Sequence, residues 1–497
     1  MISGCAGRFG LSPRPSLSVD QQVALTATEA LQAMQDGTLT SEAYVTTLLA
    51  RANALKGLNS WIALNTDGAL AAARKIDAAR AAGRKLGPLA GLPIYVKDNI
   101  DAEGFPTTAG TPALKHLMPA QNAPTLQRLL DAGAIVLAKA NMHELAFGST
   151  STNVAFGFVQ NPYDRSRVPG GSSGGTGAGI AARIVPAGLG TDTGASVRHP
   201  ASFCGIAALR PSVGSGGLER RYSGARVVPI SRTRDTVGPM GRSIADIAIL
   251  DAIITGTAVP TPAPLAGLRL GLPKSYFWEN LDDPVRQVAE AAVDKLRAAG
   301  VQIIEADLDS IGNLNQKVSL PVAFYEAYRD IPLYLKAEGS TITLQQVIAQ
   351  IASPDVRGIF AVAAKTTLAD YTQAMAIYRP QLIALYSAYF AANRVDGIIF
   401  PTVPIVPPPI DPSFGGTVSI NGVPQPGGRT AEFSVLIRNV DPASNAGLPG
   451  LAFPAGLTPS GLPIGLEIDG PLGSDKRLLS IGLSIEALLG RLPAPNV

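Results

Sequence analysis

Residues 169–200 read PGGSSGGTGAGIAARIVPAGLGTDTGASVRHP. Glycine and serine fill six consecutive positions, Gly170-Gly171-Ser172-Ser173-Gly174-Gly175. A third serine, Ser196, lies in a second glycine-rich knot. Three chemistries hold serine on so much bare backbone: a phosphate cradle, a nucleophile elbow, and a serine hydrolase site that uses no histidine.

The rest of the chain bears on that choice. A phosphate cradle needs Gly-Lys-Ser/Thr after its glycines, so that a lysine reaches the phosphates. Here Gly174-Gly175 runs into Thr176-Gly177, with no lysine nearby. Residues 171–175 do fit G-x-S-x-G, but an elbow serine needs a histidine placed after the serine and the acid. The histidines are His116, His143 and His199, and nothing beyond position 199 can serve. His199 follows Ser173 by only 26 residues, too few for the intervening strand and acid. Three scattered histidines and two distant cysteines, Cys5 and Cys204, show no metal-ligand spacing. The histidines read as surface or hydrogen-bonding residues, and no metal or cofactor is expected.

A hydrolase serine without histidine still needs a base. A lysine serves if burial and surrounding donors lower its pKa. Lys97 ends the apolar run in GLPIYVKDNI, residues 91–100. Only 16% of the 497 residues are charged, against about a quarter in a typical chain. A lysine after Ile-Tyr-Val in such a chain is a candidate for burial. A strand-end lysine paired with Asp98 is the competing reading, and the sequence leaves both open.

The same low charge bounds the partners. The net charge is +3, the pI is 8.8, and no five or six like charges run together. A nucleic-acid partner, which calls for clustered Lys and Arg, is therefore not expected. No apolar run approaches the 18 residues of a membrane span, so no membrane partner is expected. With Cys5 in an N-terminal tail, a structural disulfide is not expected either. Ile2-Ser3-Gly4-Cys5 has the shape of a lipoprotein cleavage box. No charged and apolar stretch precedes it, so it reads as an unstructured leader and the protein as cytoplasmic.

Residues 1–19 read as a flexible tail and 20–497 as one domain. Thr26-Ala-Thr-Glu29 is a capping box that opens an all-helical start over 20–82. Short apolar or β-branched runs then alternate with helical patterns. They cover residues 93–97, 134–138, 184–190, 268–273, 301–308, 397–401, 451–454 and 463–468. That alternation predicts an α/β fold, with a large mixed, mostly parallel sheet flanked by helices on both faces. The Pro-rich connector at 260–266 separates a core at 83–260 from a second half at 261–497 that continues the pattern. A helical insertion is expected at about 310–390. A Pro/Gly-rich loop follows at about 404–430, with a hairpin turn at Asn421-Gly422.

Together these words resemble the amidase signature family. GGSSGG is followed, 24 residues from Ser172 to Ser196, by GTDTGASVRHP; GLPIYVKDNID lies upstream. AGAIVLAKANMHELAFG at 132–148 and PTVP at 401–404 also agree. The similarity runs from about residue 24 to 490 and is weakest over 275–395. The resemblance implies the amidase-signature fold and a Lys–Ser–Ser triad. Ser196 would be the nucleophile. Ser172, in a cis peptide bond in the family, would relay a proton to a neutral Lys97, with Ser173 supporting the lysine by hydrogen bonding. The backbone N–H groups of Thr193, Gly194, Ala195 and Ser196 would form an oxyanion hole, and the glycines would let those amides point inward. Asp192 and Arg198 would pair to hold the loop. The family's commonest word ends Gly-Gly-Ser, and here it is Gly194-Ala195-Ser196. A methyl at 195 is expected to disfavour positive φ or to narrow the approach, and so to tune substrates.

NMHELAFGSTSTN at 141–153, the TRDT of 233–236, and SNAGLPG with GLEIDGP at 444–471 are most similar to the indoleacetamide and mandelamide hydrolase branch. With few charges available, the acyl pocket is expected to be apolar. Met142 and Phe147 are the candidate substrate contacts, and Phe156, Phe324 and Tyr325 lie in segments that could also line it. The activity implied is hydrolysis of small aromatic or aryl-alkyl amides to acid and ammonia, by a monomer or homodimer. Two alternatives stay open: the same chemistry on anilides, esters or carbamates, and a glutaminase subunit of a tRNA-dependent amidotransferase. A structural protein with a dead site is the remaining possibility.

Overall fold

The computed structural model describes residues 16–214 and 219–497. Cys5 lies outside the described residues. Ser18 caps a helix at Val19–Ala24 through a reciprocal bond with Gln21, and Leu17 packs on the core, so regular structure is in place before residue 20. Thr26 and Glu29 form the expected capping box at the start of helix Ala27–Gln35. The helical start is broken by a strand, β1 (Trp61–Leu64), between helices Ser41–Ala54 and Thr66–Ala81.

Further along come β2 (Pro93–Lys97), β3 (Ile135–Ala140), the short hairpin β4 (Thr152–Asn153) and β5 (Gly157–Phe158), β6 (Ala187–Asp192), β7 (Ala207–Arg210) and β8 (Thr236–Gly241). The second half adds β9 (Arg269–Leu272), β10 (Gln302–Glu305), β11 (Gly397–Pro401), a second hairpin of β12 (Ser419–Ile420) and β13 (Val423–Pro424), β14 (Gly450–Leu457) and β15 (Pro463–Asp469). Asn421 and Gly422 form the turn of that second hairpin, both at positive φ. Eleven strands build one mixed sheet in the order β1-β3-β2-β6-β8-β7-β14-β15-β11-β9-β10. β2 runs parallel to β3 and β6, and β9 runs parallel to β10 and β11. The strands between them are antiparallel.

β7 and β8 join the two halves across the centre of the sheet, and neither announces itself. β8 is Thr-Val-Gly-Pro-Met-Gly, whose glycines and proline read as a turn. It forms a strand because β7 pairs only with Met240 and Gly241, beyond Pro239. Separate hydrophobic clusters pack on the first half, on the second half, and under the helices that follow residue 310. Those helices are Ile311–Ala337, Leu344–Ala349, Pro354–Ala363, Leu368–Gln373 and Arg379–Asn393.

Helix Gly174–Ala181 lies against β2 and β6 and fixes where Lys97 ends up. Every residue of β2 is buried. The helix comes close enough that a Cβ at Gly179 would sit 2.4 Å from the ring of Tyr95. Overpacking of this kind typically costs about 1–3 kcal/mol. Gly179→Ala should therefore lower stability by about that amount in urea unfolding. A midpoint equal to that of the wild type would contradict this packing.

Candidate active site

β2 and β6 are neighbours, so their ends bring Lys97 and the 191–196 segment together. Lys97 Nζ lies 2.7 Å from Ser172 Oγ and 2.8 Å from Thr191 Oγ1. Thr191 Oγ1 also accepts from Asn99 Nδ2 at 3.1 Å. Lys97 is buried with only neutral oxygens in contact, so desolvation pushes it down to about 7, against the upward pull of Asp192 and Asp235. The expected alternative partner is engaged elsewhere: Asp98 faces Lys139, 3.6 Å away, and accepts from the hydroxyl and N–H of Thr108.

The Gly171–Ser172 peptide bond is cis. The Ser172 carbonyl accepts from the His143 N–H, and the Ser173 N–H donates to the Ser196 carbonyl, which stitches the two serine segments together. Ser173 reaches the lysine only through an intermediary. Its Oγ bonds the backbone of Thr191 at 3.2 and 3.3 Å, and Thr191 in turn holds Lys97. The glycines around Ser172 are closely packed by backbone. A Cβ at Gly171 would sit 2.8 Å from the Ser149–Thr150 backbone, and one at Gly175 would sit 2.2 Å from the Asn141 carbonyl oxygen.

Ser172 and Lys97 have no exposure, whereas Ser196 is 8% exposed. Its hydroxyl makes no hydrogen bond among the described residues, so the link from Ser172 to Ser196 is open while that from Lys97 to Ser172 is made. The loop 193–196 has its carbonyls occupied. Gly194 O accepts from Arg198 Nη2, Ala195 O from the His199 N–H, and Ser196 O from Ser173. The N–H groups of Thr193, Gly194, Ala195 and Ser196 have no acceptor among the described residues. The Val197 N–H, next along, is taken by Asp192 Oδ2.

Asp192 and Arg198 do pair, inside a larger buried network that the sequence did not suggest. Asp192 receives Nε and Nη2 of Arg198 at 3.1 Å each, and Nη1 of Arg210 at 2.8 Å. Burial pushes Asp192 upward, but the two guanidiniums outweigh it and hold the carboxyl well below the usual range. Arg198 also reaches Glu467 at 2.5 Å and Ser444 Oγ at 2.6 Å. Thr193 Oγ1 donates to Asp235 Oδ1 at 2.6 Å. Burial pushes Asp235 up to about 6, against these bonds from Thr193, Ser231 and Ile230. Gly194 lies over the ion pair of Arg234 and Asp441, close to Asp441 Oδ1.

Other expectations need correction. Met142 and Phe147 belong to the hydrophobic cluster beneath the helices after residue 310, with Phe147 edge-on to Phe360 at 5.0 Å. Both are buried there. Phe324 joins that cluster, while Tyr325 stacks on Tyr371. His116 is exposed, but His199 is buried edge-to-face on Phe203, and burial pushes it down to about 3. His143 Nδ1 accepts from the Ser151 N–H, so its Nε2 donates to Asp355 at 2.8 Å and ties helix Pro354–Ala363 to the serine segment. A cavity of about 740 Å³ lined by Trp278, Arg286 and Glu305 lies by β9 and β10, away from these residues.

Ala195 is the sharpest correction. Its φ is not positive, and at 3% exposure it belongs to the hydrophobic cluster of the second half. Its methyl is buried there. Ala195→Gly should therefore leave the ranking of amide substrates as it is. It should lower stability by about 1 kcal/mol, through lost packing and added chain entropy. A changed ranking in a substrate panel would show that the methyl faces the ligand after all.

The fold and this cluster belong to an amide-hydrolysing enzyme, as comparison with known proteins makes plain. The family model described as Amidase matches residues 43–479. Indoleacetamide hydrolase of Rhizobium radiobacter is 44% identical over 451 residues, covering 90% of this chain and 93% of that one. Mandelamide hydrolase of Pseudomonas putida is 41% identical over 491 residues, covering 95% and 93%. Among solved structures, native peptide amidase from Stenotrophomonas maltophilia superposes with a TM-score of 0.79 at 28% identity, covering 95% and 98%. The chain belongs to the amidase family, and it is an amidase. No helix among the described residues is long and apolar enough to cross a membrane.

Proposed function

We propose that this amidase hydrolyses small aromatic or aryl-alkyl amides through an acyl-enzyme on Ser196. The observation that carries the mechanism is the buried amine of Lys97, 2.7 Å from Ser172 Oγ and in contact with no carboxylate. A neutral amine there accepts the Ser172 proton, and Ser172 takes the proton of Ser196 as Ser196 Oγ attacks the amide carbon. The second transfer needs the Ser196 hydroxyl to turn toward Ser172. The four unused N–H groups of loop 193–196 are suited to the oxyanion that forms. Such donors are typically worth about 3–4 kcal/mol each in the transition state. The relay then runs in reverse, protonates the leaving nitrogen and breaks the C–N bond. Water attacks the acyl-enzyme by the same route, and the carboxylic acid leaves.

The substrate class rests on the relatives named above, which act on indoleacetamide and mandelamide and cover nearly the whole chain. The test is a panel of benzamide and phenylacetamide types, an anilide, a short carbamate and glutamine. Faster turnover of the aryl amides is expected. Glutamine as the best substrate would replace this reading with the amidotransferase one, and a carbamate or anilide would widen the leaving group.

Ser196→Ala should lower kcat by at least about three orders of magnitude while leaving the melting temperature near that of the wild type. Turnover retained in that variant would end the acyl-enzyme assignment. The pH dependence follows from Lys97. Its proton-free form is the base, so kcat/KM should fall about tenfold per unit as pH drops below about 7. A rate that stays flat down to about pH 5 would contradict a neutral lysine.

A further inference from the structure

Behind loop 193–196 lie five ionisable side chains with no solvent exposure: Asp192, Arg198, Arg210, Glu467 and Asp469. Three are acids and two are bases, so full ionisation would leave one uncompensated negative charge in the core, which is strongly unfavourable. The hydrogen bonds locate the excess on β15. Asp192 receives both arginines and the Val197 N–H. Glu467 Oε1 receives Arg198 Nη1. Glu467 Oε2 and both oxygens of Asp469 have no donor among the described residues. The two acids are two residues apart on one strand and so project to the same face. A Cβ built on Gly450 would lie 2.6 Å from Asp469 Oδ1 and 2.7 Å from Glu467 Oε1, with Arg198 Cδ at 3.2 Å.

We infer that Glu467 and Asp469 hold one proton between them, and that this proton keeps the cluster neutral so that Arg198 can grip loop 193–196 through the Gly194 carbonyl. Two ionised carboxylates can only accept. A carboxylic acid donates to its neighbour and satisfies an otherwise orphaned oxygen. Burial raises both groups, and for Asp469 the charge of Glu467 adds to it, while Arg198 and Arg210 pull the other way. Arg198 faces the pair from helix Arg198–Cys204, Arg210 from β7, Asp192 from β6, and the buried, unbonded hydroxyl of Tyr386 from helix Arg379–Asn393. Asp469 touches no substrate in this scheme and is a positioning residue. Its effect on turnover rests on the oxyanion reading of loop 193–196, but the shared proton does not.

The test compares wild type with Asp469→Asn, which keeps a donor toward Glu467 and cannot ionise, and with Asp469→Leu, which has none. Infrared difference spectra of the wild type should contain a protonated carboxylic acid band that Asp469→Asn lacks. Asp469 has a raised folded-state pKa, so its contribution to stability is present at low pH and lost as pH rises through that value. The wild-type melting temperature should therefore fall relative to Asp469→Asn as pH rises above about 4, where an unfolded aspartate ionises and the folded one does not. At pH 7, Asp469→Asn should keep kcat/KM within about threefold, and Asp469→Leu should lose about tenfold or more. A missing band, or melting curves that move together with pH, overturns the shared proton. If Asp469→Leu does not fold, these two measurements on wild type and Asp469→Asn decide the matter. A present band with full turnover in Asp469→Leu overturns the link to the loop and leaves the acyl-enzyme chemistry of Ser196 standing.

Discussion

The carboxylate of Asp192 between Arg198 and Arg210 is the constraint on which the rest of the site depends. It stands at the last residue of β6, where the chain leaves the sheet for loop 193–196. A buried ion pair adds little net stability, because desolvation offsets much of the attraction, but it is unforgiving of geometry. Arg198 meets Asp192 with two nitrogens and uses the same guanidinium on Gly194 O. Arg210 meets both the side chain and the carbonyl of Asp192. The loop is thus held from below by its carbonyl oxygens, and its N–H groups are left over. A segment of small residues could not fix itself this way, since Gly194 and Ala195 offer no polar side chains of their own.

Lys97 depends on the opposite arrangement. Two buried lysines end neighbouring parts of the sheet. Lys139 on β3 has Asp98 at 3.6 Å, and Lys97 has Ser172 and Thr191. A carboxylate in contact favours the ammonium, whereas hydroxyl oxygens do so far less, and desolvation then favours the free amine. Asp98 is adjacent to Lys97 in sequence, yet it turns away into Lys139 and Thr108. The charge that Lys97 still feels, from Asp192, is shared with two arginines. The clamp on the loop and the free amine therefore support each other: the guanidiniums that anchor Asp192 also keep it from claiming the lysine.

The words that carry Lys97, Ser172 and Ser196 stand out in the sequence, and the structure brings Lys97 and Ser172 into contact. What faces each small residue was not legible. A glycine in sequence says that a Cβ is excluded and not by what, and around Ser172 the excluding atoms are backbone from residues 141 and 149–150. Ala195 raised the same question, and it joins a hydrophobic cluster built mostly from the second half of the chain, far away in sequence. β8 stayed hidden for a related reason, since its glycines and Pro239 mimic a turn. Met142 and Phe147 are candidate contacts of an apolar pocket by sequence, and their packing with the helices after residue 310 leaves no local pattern to read. Long-range partners such as Arg210 and Glu467 leave no local pattern for a sequence reading to find.

Those helices are where the family resemblance is weakest, yet the structure ties them to the surroundings of the site. Glu326, buried on helix Ile311–Ala337, accepts from Ser231 Oγ, from the N–H and hydroxyl of Thr233, and from Tyr371. Two residues on, Asp235 binds the N–H groups of Ile230 and Ser231 and the hydroxyl of Thr193. Arg234 reaches the Ser319 carbonyl on the same helix and Asp441 on helix Asp441–Ala446. Residues 230–235 are therefore a common anchor, with the insertion on one side and loop 193–196 on the other. From this anchor the loop is reached through Asp235 and Thr193, while the insertion supplies Glu326, the Ser319 carbonyl, Asp330 on the Arg232 N–H and Arg379 on the Thr233 carbonyl. The insertion thus bears on the site at two places, on loop 193–196 through this anchor and on the serine segment through Asp355 and His143, and both ties are made by buried or half-buried polar groups that fix geometry more than they add stability.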